Sequence, residues 1–105
     1  MFKINGKNIE MNKGDYGNIL PIKITNVLPS DTIKFTIMEI NSNKIIIDKE
    51  LPYNNDTEKY EYSLTKEETD KLQIKNYVYS IKQIRDGKLY NTINVGSPYY
   101  VTRGA

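Results

Sequence analysis

Residues 76–93 read NYVYSIKQIRDGKLYNTI, and the fold turns on how they are read. Tyr77, Tyr79 and Ile81 recur at every second position while Lys82 falls on the opposite face, the period of a half-buried strand. Asp86-Gly87 then supplies the residue pair that accepts a two-residue hairpin turn, and KLYNTI resumes a β-type run beyond it. The rings of Tyr77 and Tyr79 share their face with Ile81, so they belong to a core and not to a solvent-facing platform.

The same alternation recurs on both sides of the hairpin. Upstream, EKYEYSL (58–64) brings Tyr60, Tyr62 and Leu64 into register. TIKFTIMEI (32–40) turns Ile33, Phe35 and Ile37 inward and Lys34 and Thr36 outward. KIIIDKEL (44–51) places Ile45 and Ile47 on one face, and ILPIKIT (19–25) does the same for Leu20, Ile22 and Ile24. Pro21 cannot donate to a sheet ladder, so that strand lies at an edge or is bulged. Residues 2–5 and 8–11 flank Gly6-Lys7 as a first hairpin or a bent edge strand, PYNNDT (52–57) reads as loop, and PYYVTR (98–103) forms a closing strand. Short runs of this kind, each closed by a turn signal, predict an antiparallel sandwich of about seven strands. The expected core is Ile22, Ile24, Ile33, Phe35, Ile37, Ile47, Leu64, Leu72, Tyr79 and Ile81.

One stretch argues for helix. In TKEETDKL, Thr65 caps and Glu68 lies three residues on, the reciprocal capping-box spacing. The helix near 66–72 is two turns at most, too short to persist without packing, and Leu72 is its expected anchor. At 105 residues, with no repeat, linker or low-complexity tract, the chain reads as a single domain, 1–105.

Composition excludes several kinds of chemistry. The chain has no Cys and no His. There is therefore no disulfide framework, no thiolate metal site and no Ser-His or Cys-His nucleophile arrangement. A net charge of +2 from 15 basic and 13 acidic residues favours solubility and does not mark a nucleic-acid binder. No apolar run reaches the length of a membrane span, and MFKINGKNIE lacks the apolar stretch of a signal peptide. The expectation is a chain used in the cytoplasm or carried out inside an assembly.

Three groups of residues invite a functional reading. In KGDYGN (13–18), Gly14 and Gly17 bracket Asp15 with no helix behind them to make a phosphate cradle. They read as a turn, with glycines at φ > 0 and Asp15 bonding nearby backbone. Of the nine tyrosines, Tyr77, Tyr79 and Tyr90 are interleaved with Lys75, Lys82, Arg85 and Lys88 and resemble a stacking surface at first sight, but the strand period assigns most of the rings to the core. Tyr99 and Tyr100 are adjacent, so one of them faces out. The acidic groups Asp48 with Glu50, Asp56 with Glu58, and Glu67-Glu68-Asp70 match no calcium-loop spacing and sit beside lysines as solvated charges. No catalytic, cofactor-binding or metal-binding constellation emerges.

Taken in order, these pieces resemble a family of small immunoglobulin-like β-sandwich proteins encoded in phage and prophage tail modules of Gram-positive bacteria. They are similar to the N-terminal domain of upper baseplate proteins. The resemblance rests on Lys13-Gly14-Asp15 leading into the apolar strand 19–25, on Thr32-Ile33-Lys34-Phe35-Thr36-Ile37, and on Leu64-Thr65-Lys66-Glu67-Glu68-Thr69. It continues through Tyr77-Val78-Tyr79-Ser80-Ile81, the Asp86-Gly87 hairpin and Tyr100-Val101-Thr102, covering nearly the whole chain. The Cys and Trp hallmarks of antibody domains are missing, so the likeness is one of architecture.

The resemblance implies a non-catalytic structural or adaptor component of a tail or baseplate, made in the bacterial host cytoplasm and carried in the virion. Its partners would be other tail proteins or a second copy of itself, with no nucleic acid, membrane or small-molecule substrate, and no cofactor. It also implies a tyrosine corner, in which the Tyr77 hydroxyl turns back to backbone a few residues upstream. The candidate contact edge is the final strand, with Tyr99, Tyr100 and Val101. The alternative is a carbohydrate- or oligonucleotide-binding β module.

Overall fold

The computed structural model describes residues 2–103. The hairpin at Asp86-Gly87 is its longest feature: β8 (Asn76–Arg85) turns there into β9 (Lys88–Thr102). Asp86 and Gly87 both take positive φ, at 54° and 74°, the conformation that a tight primed turn requires. Around this hairpin the chain forms two sheets, so the fold is all-β and sandwich-like with one short helix.

The larger sheet has six strands. In spatial order they are β1 (Lys3–Asn5), β2 (Asn8–Asn12), β9, β8, β4 (Thr32–Glu39) and β5 (Ile45–Glu50). The smaller sheet has β3 (Leu20–Ile22), β7 (Lys59–Tyr62) and β6 (Tyr53–Asn54). Nine strands are found among the described residues where about seven were expected: residues 2–5 and 8–11 form two separate strands, β6 lies in the stretch read as loop, and KLYNTI and PYYVT belong to one strand, β9. The sheets are also not wholly antiparallel. β2 pairs parallel to β9, Ile9 opposite Tyr99 through Asn12 opposite Thr102.

Helix α1 is shorter than expected, Lys66–Thr69. The capping box is present: Thr65 Oγ1 accepts from the Glu68 N–H at 3.2 Å and Glu68 Oε1 accepts from the Thr65 N–H at 2.9 Å. The helix stops because the Lys71 and Leu72 N–H groups bond back only three residues, to Glu68 and Thr69, tightening the chain out of α geometry.

The core lies between the sheets and is aromatic. Phe35 of β4 stacks on Tyr62 of β7 at 3.9 Å, so one ring pair joins the two sheets. On its other side Phe35 stacks on Tyr79 at 5.0 Å, and the edge of Tyr99 approaches at 6.4 Å. Ile33, Ile37, Ile47, Leu64, Leu72 and Ile81 are buried as expected, while Ile22 and Ile24 are only half-buried. β3 ends at Ile22 and the chain then leaves the sheet, carrying Ile24 to the rim. Ile45 departs further from expectation, being 55 % exposed while Ile47 is buried. A bulge is responsible, because Ile37 pairs with Ile47 but Met38 pairs with Ile45, leaving Ile46 as an extra residue that breaks the alternation.

Three of the buried rings, Tyr62, Tyr79 and Tyr99, have their hydroxyls hydrogen-bonded within the core. Tyr62 and Tyr99 share a hydrogen bond of 2.8 Å, and the Tyr79 hydroxyl donates to the Lys7 carbonyl while accepting from Asn94 Nδ2 at 3.1 Å. Burial holds the Tyr60, Tyr62, Tyr79 and Tyr99 hydroxyls above the ordinary value of 10.0. In the unfolded chain these groups lose their protons near pH 10, and in the native state they retain them. Raising the pH beyond 10 therefore favours unfolding, whereas below 10 this contribution to stability is fully present. The expected result is that these four rings ionise only in a cooperative step that coincides with loss of the β-sheet circular dichroism. Tyrosinate absorbance that reaches its full amplitude with the sheet signal intact would show that they are not buried.

Candidate functional site

The final strand is not the contact edge that was expected. β9 lies inside the large sheet, with β8 on one side and β2 on the other over residues 99–102. Tyr99 and Val101 are buried, and Tyr100 is half-buried. None of the three offers a free strand to a partner. The remaining edges are guarded as well. β1 and β6 are very short, and β3 carries Pro21. On β5, Lys49 turns inward, where its Nζ donates to the Ser63 carbonyl at 2.5 Å and to Glu68 at 2.8 Å. Short strands, prolines and inward charges are the devices that block edge-to-edge pairing.

Gly14, Asp15 and Gly17 form the turn between β2 and β3. Gly14 and Gly17 have φ of 91° and 77°, and the Asp15 N–H donates to the Asn12 carbonyl at 3.1 Å. The Gly17 N–H donates to the Leu64 carbonyl at 2.9 Å, tying the turn to the approach to α1. At Tyr77 the ring is buried, and its hydroxyl accepts from the Gln73 N–H at 2.9 Å, four residues upstream. These residues organise the fold at one end. Among the described residues no group of three His, Cys, Asp or Glu side chains could hold a metal ion.

The opposite end, near the β8–β9 hairpin, carries the surface that composition and period did not single out. Its centre is Asp31, whose side chain is fully buried. Asp31 Oδ1 accepts from Arg85 Nε at 2.9 Å, and Oδ2 accepts from Arg85 Nη2 at 2.8 Å, Gln83 Nε2 at 2.8 Å and the Leu28 N–H at 2.9 Å. The Arg85 hydrogen bonds, helped by the Leu28 and Gln83 donors, hold its carboxyl well below the usual carboxylate range against the opposing effect of burial. With its lone pairs engaged and its charge fixed, Asp31 cannot serve as a general base. Its work is to pin the segment 23–31 onto β8, where Asn26 sits at a φ of 60°.

Two clefts flank this pinned segment, each of about 580 Å³. The first lies between residues 23–26 and the β9 residues 90–93. The second lies between residues 24–31 and the chain around β6, with Val27, Leu28, Pro29, Pro52, Tyr53 and Tyr60 among its walls. Leu28, Tyr53, Leu89 and Tyr90 are about half exposed or more at this end. The Arg85 guanidinium lies over the Tyr90 ring at 3.7 Å, so Tyr90 is the exception to the assignment of this segment's rings to the core. The site was missed because its polar members are single residues scattered between turns. One signal was present: Gln83 follows Tyr77, Tyr79 and Ile81 in the inward phase of β8, and a buried amide requires partners. Compared with protein-family models, curated proteins and solved structures, the chain matches none of them.

Proposed function

We propose that the chain is a non-catalytic structural or adaptor component of a phage tail or baseplate, and that it works by docking on neighbouring tail proteins. The observation that carries the reading is the exposed apolar group at the hairpin end: Leu28 and Pro29, on a segment fixed in place by Asp31, face Pro52 and Tyr53 across one cleft. Apolar side chains gathered on loops and held by a rigid scaffold are what a docking surface needs. The sequence resemblance supplies the setting, and fold alone does not. On this reading the protein is made in the bacterial host cytoplasm, is carried in the virion tail and runs no reaction of its own.

The contact surface is thus the loop end and not the closing strand. Phage or tail-like particles purified from the source strain should contain the chain at a fixed ratio to other tail proteins, as quantified by mass spectrometry. Particles that lack it would overturn the proposal.

A further inference from the structure

The cleft between residues 23–26 and β9 shares Ile24 and Asn26 with the cleft of the docking surface but none of that surface's Leu28, Pro29, Pro52 or Tyr53, and its chemistry differs. Gln83 is 1 % exposed, and its Nε2 donates to the Asn26 carbonyl at 3.1 Å and to Asp31 Oδ2 at 2.8 Å. Both partners can only accept, so the orientation of the amide is fixed and both of its hydrogens are spent. Its Oε1 has no partner among the described residues, yet it is not among the fully enclosed atoms that lack one. What remains unspent of Gln83 is therefore a carbonyl oxygen, on a residue that helps to line the cleft. Buried polar groups are ordinarily satisfied, so an acceptor left for an outside donor calls for an explanation.

The second observation is the course of β9 along this cleft. Gln83 pairs with Asn91 but Ile84 pairs with Leu89, so Tyr90 is an extra residue; Ile93 is another, between Thr92 and Asn94. Over 88–95 the strand has β8 on one side only, and its residues 90–93 line the cleft. Two bulges in so short a run would break the ladder for an added strand, so this edge is not built to pair with another chain. Bulges also re-aim side chains. Here Tyr90 is turned out, with Arg85 against its ring and more than half of the residue exposed.

We infer that this cleft binds a neutral, hydroxyl-rich ligand, a sugar. Gln83 Oε1 accepts a hydroxyl hydrogen at its floor, the Tyr90 ring receives the C–H face, and Asn26, Asn91, Thr25 and Thr92 supply paired donors and acceptors along its walls. Its size falls in the range of ligand sites. The charge pattern selects against other classes. Lys23 is the one cationic side chain of the lining, and Arg85 is committed to Asp31 and Tyr90, which leaves little to hold a phosphate or carboxylate. A single-stranded nucleic acid would need successive rings along a basic groove, and one ring is present. The open, polar shape fits a weak ligand, such as one unit of a longer glycan.

The test is a titration of the isotope-labelled full chain, followed by ¹⁵N NMR, with glucose, galactose, rhamnose, N-acetylglucosamine, lactose and chitobiose. Each is taken to about 50 mM, enough to reveal millimolar binding. At least one should shift, saturably, the side-chain amides of Gln83, Asn26 and Asn91 and the backbone of 90–93. Glucose 6-phosphate should bind no more tightly than glucose. Tyr90 and Asn91 are exposed, so Tyr90→Ala and Asn91→Ala should keep the fold, as an otherwise unchanged ¹⁵N spectrum would show; Tyr90→Ala should weaken binding about tenfold or more. No shift with any of the six sugars, shifts confined to other surfaces, or unchanged binding by Tyr90→Ala would overturn the inference. Each outcome is independent of whether the chain is found in tail particles.

Discussion

Replacing Phe35 by alanine should destabilise the protein by about 3–5 kcal/mol, the cost of removing a buried aromatic ring and leaving its cavity. The upper part of that range is expected, because the space cannot easily close. Phe35 is fully buried between Tyr62 and Tyr79, with Tyr99 at its edge. None of those three rings is free to move into the gap. Tyr62 and Tyr99 are bonded to each other through their hydroxyls, and Tyr79 is held by the Lys7 carbonyl and Asn94. The stack also joins the two sheets, as the Tyr62–Tyr99 pair does, so the loss falls on a contact both sheets share. For a domain whose total stability is of the order of 5–15 kcal/mol, the variant would lose a large fraction of that stability. Urea denaturation measures the difference. Phe35→Leu, which refills much of the volume, should cost clearly less. A change below about 1 kcal/mol for Phe35→Ala would mean that the ring is not buried between the sheets.

Phe35 was legible in the sequence because apolar residues alternate along β4, β7 and β8, although Thr36 and Ser80, out of that phase, are buried as well. Where the period breaks, legibility ends. Ile45 was placed with Ile47, but the extra residue at Ile46 turns it out, and nothing local in KIIIDKEL marks a bulge. The burial of Tyr99 and Val101 depends on β2, which arrives from the other end of the chain and pairs in parallel. Two adjacent tyrosines reveal only that one of them faces out; they do not reveal which strand lies beside them. The hairpin-end site follows the same rule. Asp31 reads as an ordinary turn residue until Arg85 and Gln83, more than fifty positions away, are folded onto it. The position of Gln83 in the inward phase of β8 was readable, but its partners were not.

Leu72→Ala should destabilise by about 2–5 kcal/mol, and the damage should begin at α1. Four residues of helix cannot sustain themselves, so something outside the helix must hold it. The polar contacts are modest. The capping box satisfies two end groups, and such a cap is typically worth about 1 kcal/mol. The Lys49–Glu68 pair is mostly buried, with side chains 20 % and 24 % exposed, and the cost of desolvating such a pair offsets much of its attraction. Thr69 works against the segment, since its buried Oγ1 has no partner among the described residues. Anchorage is left to Leu72, which is fully buried and whose N–H bonds back to Thr69 as the chain leaves the helix. Immediately beyond it, the Gln73 N–H reaches the Tyr77 hydroxyl, so slack at Leu72 would also loosen the start of β8. Amide hydrogen exchange at 68–73 should therefore accelerate in Leu72→Ala more than exchange in β4 or in the middle of β8. Thr65→Ala is the control, with an expected cost of about 1 kcal/mol. If removing the cap costs as much as removing the anchor, then α1 is held by its end and not by its packing.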